Sequence, residues 1–421
     1  MKLRFLTAGE SHGPELNIIV EGMPADLELL AEDIDTDLRR RQGGYGRGGR
    51  MKIEKDRVIF TAGVRHGRTF GGAPVGLKLV NRDHQKWLNS MNPAPVDKSD
   101  PEVAKELEAK FISKVRPGHA DYAGAIKYDA KDVRDILERS SARETTSRVA
   151  VGAVCKKFLK QFGIEIFSQV LRVGELSVSE QSRTELLNTS FEDFKAQVEN
   201  SELRIFDNTD TEEQMKEYIN RIRKQGDTVG GLLEVTAYNV PVGLGSHVQW
   251  DRRLDGRIAQ SLMSVHTVKS VEVGMGQQVS MHPGSKVQDE FYVDQATKQD
   301  SSDPDNANTK ENTKMRYLRR TNNLGGIEGG MSNGEPIICQ VGVKPIPTLV
   351  STLDSVDLAT KDNSKSHFER SDVCVVPAAG VVMEAMLAYS IAEAFLEKFA
   401  GDSMAETKRN YDNYVKNAYQ R

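Results

Sequence analysis

The chain has 421 residues, and its 57 Lys+Arg against 61 Asp+Glu give a formal net charge of −4. That balance exerts no overall pull toward nucleic acid or an anionic membrane, so any anion site must come from local charge. Cys155, Cys339 and Cys374 lie far apart, with neither CxxC spacing nor histidine-rich company, which argues against a disulfide framework and a zinc site and fits a reducing cytoplasm. No apolar run approaches the roughly 18 residues of a membrane span, and Glu10 and His12 arrive before a signal-peptide apolar region could form.

In chain order, residues 2–24 read as a short strand, a glycine-bounded polar turn and a second strand at Leu16–Glu21 that ends at Gly22-Met-Pro24. Ala31, Ile34 and Leu38 recur at helical spacing over Ala31–Arg41 and lead into a loop, Gln42-Gly-Gly-Tyr-Gly-Arg-Gly-Gly49. Strands are expected at Met51–Ile53, Val58–Ala62 and Val75–Val80. A polar stretch, Ser90–Asp100, precedes a helical pattern over Val103–Ile112 and then Arg116-Pro-Gly-His-Ala-Asp121. Val149, Ala153, Val154 and Phe158 share one helical face within Ala142–Phe162, which Gly163 stops. Alternation predicts half-buried strands at Leu232–Tyr238 and Pro336–Val343, and Gly380–Phe399 is the clearest helix. Gln295–Lys314 and the residues beyond Gly401 are polar enough to look dispensable for a core. The expected organisation is one domain over residues 1–400 with a surface insertion at about 295–314, then a polar extension over 401–421. Strands interleave with helices throughout, which gives an α/β or α+β class.

Four segments carry chemistry. Arg39, Arg40, Arg41, Arg47, Arg50 and Lys52 form a cationic, glycine-interleaved cluster with no acid among them. Glycine lets the backbone approach an anion while guanidinium forks bind phosphate; an RNA-binding Arg-Gly segment and a solvated charged face are the alternatives. His12 in Gly9-Glu-Ser-His-Gly13 and His119 sit in glycine-rich, charged loops where an imidazole can move a proton near neutral pH, or simply serve as a surface residue. Glu138-Arg-Ser-Ser-Ala-Arg-Glu-Thr-Thr146 precedes a helix, so Ser140 and Ser141 either meet a phosphate at the helix N-terminus or cap it. Asn322–Gly334 packs five glycines into thirteen residues and frees its backbone for a flat or anionic ligand, without the strand-then-helix context of a dinucleotide fingerprint.

Taken together, these segments resemble the chorismate synthase family. The resemblance lies in Gly9–Gly13, Arg39–Arg50 (in a form similar to the Gram-positive type), Arg116–Asp121, Glu138–Thr145, Gly325–Gly334, Lys344-Pro-Ile-Pro-Thr348 and Arg370-Ser-Asp372, in family order along the chain. It implies an α+β fold, a β-α-β sandwich with antiparallel sheets flanked by helices, assembled as a homotetramer. It also implies a cytoplasmic lyase of aromatic amino-acid biosynthesis that removes phosphate from 5-enolpyruvylshikimate 3-phosphate by anti-1,4-elimination. Reduced FMN is required without net redox change, and no metal, nucleic acid or membrane is involved. Residue by residue, the resemblance assigns His12 to the leaving phosphate, His119 to the charged pyrimidine edge of the flavin, and Asp372 to proton removal at flavin N5. Flavin contacts fall on Arg139, Ser140, Ser141, His266, Thr267, Gly329, Lys344, Pro345, Ile346, Pro347, Thr348 and Arg370. Arg41 and Arg47 match positions that contact NADPH in members able to reduce their own flavin; other members rely on a separate flavin reductase. The chain departs from the family pattern at Ser264-Val-His-Thr-Val-Lys-Ser270, where Ser-Ile-Asn-Ala-Phe-Lys-Gly is usual, and at Arg68–Pro74.

Overall fold

Alternating apolar and polar residues build both sheets of the fold. Strand Glu15–Glu21 buries Leu16, Ile18 and Val20 and turns the residues between them outward, the two-residue period of a strand with one covered face. It pairs antiparallel with Arg4–Ala8 and Val75–Val80, and Val58–Ala62 completes a four-stranded sheet. A second antiparallel sheet runs in the order Val268–Val273, Ile337–Val343, Gly231–Tyr238, Glu165–Val173, Leu176–Ser177. The computed structural model describes residues 2–49, 55–186, 189–293, 317–369 and 371–418. The expected strand at Met51–Ile53, the segment Gln295–Lys314 and Arg370 lie outside the described residues.

Helices Ala31–Gln42, Thr145–Lys160 and Val376–Phe399 lie between the sheets. A continuous apolar core runs from Leu16, Ile18 and Leu77 through Val154, Phe158, Leu387 and Ile391 to Val235, Ala237 and Ile337. This is the expected α+β arrangement, a helical layer sandwiched by antiparallel sheets. Val376–Phe399 is apolar nearly all round and starts with Pro377 in its first turn, as suits a helix with no solvent face. It is long and apolar enough to cross a bilayer, yet most of it is buried inside the protein. It crosses Thr145–Lys160 so closely that a Cβ added at Gly152 would lie 2.1 Å from the Cβ of Ala385.

One charge sits at the middle of this apolar helix. Glu384 is fully buried and accepts from Arg40 Nη1 and Nη2 (2.7 and 2.9 Å), Lys156 Nζ (2.9 Å), Arg204 Nη2 (3.2 Å) and both Ser168 N and Oγ (3.1 and 2.8 Å). Asp37 shares Arg40 and Lys156 with it. Burial pushes the Glu384 carboxyl up, but Arg40, Lys156 and Arg204 outweigh burial and hold it well below the usual carboxylate range.

Two elements differ from expectation. Residues beyond 401, expected to form a polar extension, include the helix Met404–Ala418. Tyr411 packs on Phe162, Phe395 and Phe399 with ring centroids 5.2–5.4 Å apart, and Tyr414 donates to Val242 O (3.0 Å). The overall polarity of this segment hides a narrow stripe, Thr407, Tyr411 and Tyr414, at helical spacing. Strand Glu165–Val173 escaped sequence detection because it does not alternate: Ile166 and Val170 face the main core while Phe167 packs with Phe194, Val198 and Phe206.

Glu384→Gln should lower the unfolding free energy by about 3–5 kcal/mol, because Arg40, Lys156 and Arg204 would lose their buried counter-charge. Since the folded-state pKa of Glu384 lies below its ordinary value of 4.5, its contribution is complete above that pH and is lost as pH falls through the folded-state value. Urea titrations from neutral to acid pH should therefore show a shallower acid loss in the variant than in the parent. An equal denaturation midpoint at neutral pH would show that the cluster does not support the fold.

Candidate active site

Three histidines meet at one edge of the sandwich, and each has a carboxylate behind it and an arginine behind the carboxylate. His12 lies in the turn between the first two strands, 8% exposed. Its Nδ1 donates to Glu138 Oε1 (2.7 Å) and its backbone N–H to Glu138 Oε2 (2.8 Å). The ring stacks on Trp87 with centroids 3.9 Å apart, and Lys110 Nζ lies 3.3 Å from the Trp87 centroid. Burial pushes the Glu138 carboxyl up, but the His12 hydrogen bonds and the nearby Arg134 charge hold it below its ordinary range.

His119 repeats the pattern. Its Nδ1 donates to Asp121, which is fully buried and bound through both oxygens by Arg116 Nε and Nη2 (2.7 and 2.9 Å). Burial raises the Asp121 carboxyl, and Arg116 and His119 overcome it to hold the group far below the usual range. In both sets the carboxylate fixes the ring and turns Nε2 away from it. A small satellite core of Ile112, Val115, Ala125, Val133 and Leu137 supports this loop and helix Arg134–Ser140, the helix that carries Glu138.

The third set is looser. His266 Nδ1 stands 3.7 Å from Glu144 Oε2, and Arg148 Nε donates to both Glu144 oxygens (3.2 and 2.9 Å). Burial, together with Arg148, His119 and Arg139, pushes His266 below the ordinary histidine value against the pull of Glu144. His119 and Arg139 are thus close enough to His266 to act on its charge.

Other expected residues join these sets. Arg139 donates to Gly9 O (3.0 Å) and Thr7 O (2.9 Å), and Ser11 Oγ donates to Ser141 Oγ (2.9 Å). Ser141 also caps the turn Ala142–Glu144 by accepting from Arg143 N, whereas Ser140 Oγ donates back to Ile136 O (2.7 Å) within its own helix. Lys344 Nζ donates to Gly118 O (3.0 Å), and Thr348 Oγ1 accepts from Arg116 Nη1 (3.3 Å). Ser371 Oγ donates to Thr348 O, and Arg134 Nη2 donates to Glu369 Oε1 (both 3.0 Å). Burial pushes Glu369 up, yet His367 and Arg134 bring it down to about 2. Asp372 accepts from Gly48 N and pairs with Arg47 Nη1 (3.2 Å). Glu369 therefore touches the His12 side through Arg134, and Ser371 the His119 side through Thr348.

Some expected residues are not brought in. Gly329 lies in the turn between Ile327–Glu328 and Met331–Ser332, beside His247 and near the start of helix Leu254–Met263. His266 and Thr267 follow the far end of that ten-residue helix, about 15 Å away at 1.5 Å per residue. Among the described residues, the cationic cluster does not point one way either. Arg39 faces solvent with Glu32, and Arg40 is bound to Glu384. Arg41, expected to reach a ligand through a flexible loop, is 4% exposed, with Nε on Thr145 Oγ1 (3.0 Å) and Nη2 on Ala142 O (2.7 Å). Burial and the neighbouring Arg47 and Arg143 push its guanidinium down to about 9. Sequence reasoning gave no role to Glu138, Asp121, Arg116 or Arg134, although the first three lie inside the motifs. Trp87 has no sequence signal at all.

Two antiparallel sheets about a helical layer, with cationic and imidazole donors gathered at one edge, define an α+β enzyme built to handle anions. A family model for chorismate synthase matches residues 3–396. A chorismate synthase of Gloeobacter violaceus is 49% identical over 412 residues, covering 97% of this chain and 98% of the relative. One of Streptococcus pneumoniae is 48% identical over 421 residues, covering 99% and 100%. A crystal structure of a chorismate synthase superposes with a TM-score of 0.76 at 40% identity, covering 100% of this chain and 99% of that one. The chain belongs to the chorismate synthase family. Its reaction is the elimination of phosphate from 5-enolpyruvylshikimate 3-phosphate to give chorismate, in the shikimate pathway to aromatic amino acids, with a reduced flavin as cofactor.

Because Nε and Nη2 of Arg41 bind Thr145 and Ala142 inside the protein, Arg41→Ala should lower the unfolding free energy by about 1–3 kcal/mol, whereas Arg39→Ala should leave the denaturation midpoint unchanged. Equal midpoints for the two variants would remove the structural role given to Arg41.

Proposed function

We propose that His12 and His119 are the proton-handling groups of this elimination and that Asp372 is its base, with FMN as the flavin. The observation that carries this is the repeated histidine–carboxylate–arginine set. An imidazole held through Nδ1 by an ionised carboxylate presents Nε2 in one orientation, where it can donate to a developing phosphate oxyanion or to a flavin edge. His12, stacked on Trp87 and clamped by Glu138, is assigned to the leaving phosphate. His119 is assigned to the pyrimidine edge of the flavin. Asp372, held by Gly48 N and Arg47, follows Ser371, which binds Thr348 O beside Arg116 of the His119 set.

The residues present fit a reduced flavin. His266 Nδ1 is buried without a hydrogen-bond partner. Gly118, at φ 75°, faces the Lys344–Thr348 segment, an added Cβ there lying 3.6 Å from Lys344 Nζ and 3.8 Å from Pro347 Cβ, and its backbone conformation favours glycine. Arg139, Ser141, His266, Thr267 and Lys344–Thr348 would hold the flavin, and Arg370 is assigned with them. Ser140 would contribute through its backbone, since its hydroxyl is used within its helix. Bound flavin supplies an electron-rich surface that promotes departure of the allylic phosphate. Gly329 would reach the flavin from a neighbouring copy in a homotetramer. Arg47, and Arg41 behind it, are assigned to NADPH, with a separate reductase as the alternative source of reduced flavin. Three buried thiols support a cytoplasmic setting, and a continuous core supports one domain that takes in the helix Met404–Ala418 as well as the residues before 400. A nucleic-acid role is disfavoured because Arg40 and Arg41 are committed inside the protein.

In an anaerobic assay with chemically reduced FMN, His12→Ala and His119→Ala should each lower turnover by roughly 10- to 10⁴-fold, with circular dichroism unchanged. Glu138→Gln should fall between the parent and His12→Ala. Turnover close to the parent in both histidine variants would overturn the assignment.

A further inference from the structure

Trp87 is 7% exposed, yet it belongs to none of the apolar clusters that the described residues form. What the indole meets instead is an imidazole and two cations. His12 stacks on it with centroids 3.9 Å apart, Lys110 Nζ lies 3.3 Å from its centroid, and Arg134 Cζ lies 4.8 Å away. Two groups as close as His12 and Lys110 cannot share one face of a ring, so the indole stands between the imidazole and the ammonium. Arg134 Nε donates to Lys110 O (2.7 Å), which ties the two cations together, and their attraction to the π system pins the indole. A buried tryptophan that packs in no core is accounted for by the ring it covers.

The segment that carries Trp87 also holds the rest of the His12 turn. Arg82–Lys86 is a 3-10 helix, in which residues three apart lie one above another. Backbone bonds from His84 N to Asn81 O (3.3 Å) and from Trp87 N to His84 O (2.8 Å) link residues at that interval, and all three meet the same neighbour. Asn81 Nδ2 donates to Glu10 O and Gly13 O (3.1 and 2.8 Å), His84 Nδ1 donates to His12 O (2.9 Å), and Trp87 covers the His12 ring. Asn81 Oδ1 in turn accepts from Arg143 Nε (2.8 Å), and Arg143 Nη1 donates to the buried Asp56 (2.6 Å), so the holder is itself anchored inside the protein. Glu138 grips the imidazole by one edge. A ring held by a single hydrogen bond can still swing about it, and a flat surface against its face blocks that swing. We propose that Trp87 is the positioning residue of His12: aligned with Asn81 and His84, it fixes the plane of the imidazole that Glu138 holds by the edge, so that Nε2 meets the leaving phosphate in one orientation. The inference rests on the proton-handling reading of His12 above. Trp87 acts through His12 and not on the substrate.

The test is steady-state kinetics, in the anaerobic assay with reduced FMN, of Trp87→Phe, Trp87→Leu, Trp87→Met, His12→Ala and the double variant His12→Ala/Trp87→Leu, each checked for folding by circular dichroism. Leu and Met occupy the space without offering a flat face. They should lower kcat by about 10- to 100-fold, as a displaced reacting group does, with the KM for the phosphate ester unchanged. Phe keeps a flat face and should hold kcat within about threefold of the parent. In the His12→Ala background, Trp87→Leu should cause no further loss, because residues that act as one unit are non-additive. Equal losses in Trp87→Phe and Trp87→Leu would show that volume matters and not a flat face, and a raised KM with unchanged kcat would move Trp87 into substrate binding; either result overturns the inference. So does an added loss in the His12→Ala background. If neither aliphatic variant folds, His84→Ala decides: His84 is half-buried, and losing its bond to His12 O should lower kcat by about two- to tenfold, whereas a parent-like kcat refutes the proposal. Parent-like turnover in the Leu and Met variants beside an impaired His12→Ala removes this inference alone. Parent-like turnover in His12→Ala removes the proton-handling reading, and this inference with it.

Discussion

Glu384 is the constraint on which the rest of the structure depends. A carboxylate buried in the middle of an apolar helix is strongly unfavourable unless paired, and here it is paired with cations from three other elements: Arg40 on the first helix, Lys156 on the helix after Ser141, and Arg204 on the segment that lines the second sheet. Apolar packing alone tolerates sliding and rotation between helices, because contact is non-directional. Hydrogen bonds to one buried carboxylate do not. The cluster therefore sets the rotation and height of the two helices whose ends carry Arg41–Arg47 and Ser141–Thr145.

That placement explains how chemistry from distant parts of the sequence arrives at one edge. Helix Ala31–Gln42 ends where Arg41 reaches Thr145 and Ala142, and the loop beyond it delivers Gly48 N and Arg47 to Asp372. Helix Arg134–Ser140 sits over its own small core and turns Glu138 toward His12 and Arg134 toward Glu369. Charge is spent at two levels: Arg40, Lys156 and Arg204 hold the scaffold, while Arg116 and Arg134 hold the carboxylates that hold His119 and His12, and Arg148 holds Glu144 beside His266.

Regular patterns were legible in the sequence wherever one face of an element meets water. Glu15–Glu21 and Ile337–Val343 alternate because one side is covered, and Ala31–Gln42 shows helical spacing for the same reason. Glu165–Val173 was hidden because both of its faces are covered, and Met404–Ala418 because only a narrow stripe, Met404, Thr407, Tyr411 and Tyr414, meets the core. At the site, glycine and histidine marked the loops, but their partners did not stand out. Trp87 matters only because the fold stacks it on His12, and no local pattern encodes a contact seventy-five residues away along the chain. The arginine-rich stretch misled in the opposite way: adjacent charges on a helix point in different directions, so Arg39, Arg40 and Arg41 face solvent, the core and the Thr145 turn.

The site's electrostatics follow from the same economy of charge. A chain with a net charge of −4 must bind a phosphate ester, so it gathers cations locally and balances them with buried carboxylates. Those carboxylates cannot relax toward solvent as free counter-ions would, so each imidazole is oriented before the ligand arrives and little reorganisation is left for the reaction itself. His12 and His119 have their Nδ1 positions filled in this way, and each is thereby limited to work through Nε2. His266 is held more loosely, its Nδ1 standing 3.7 Å from a Glu144 carboxylate that Arg148 already binds through both oxygens.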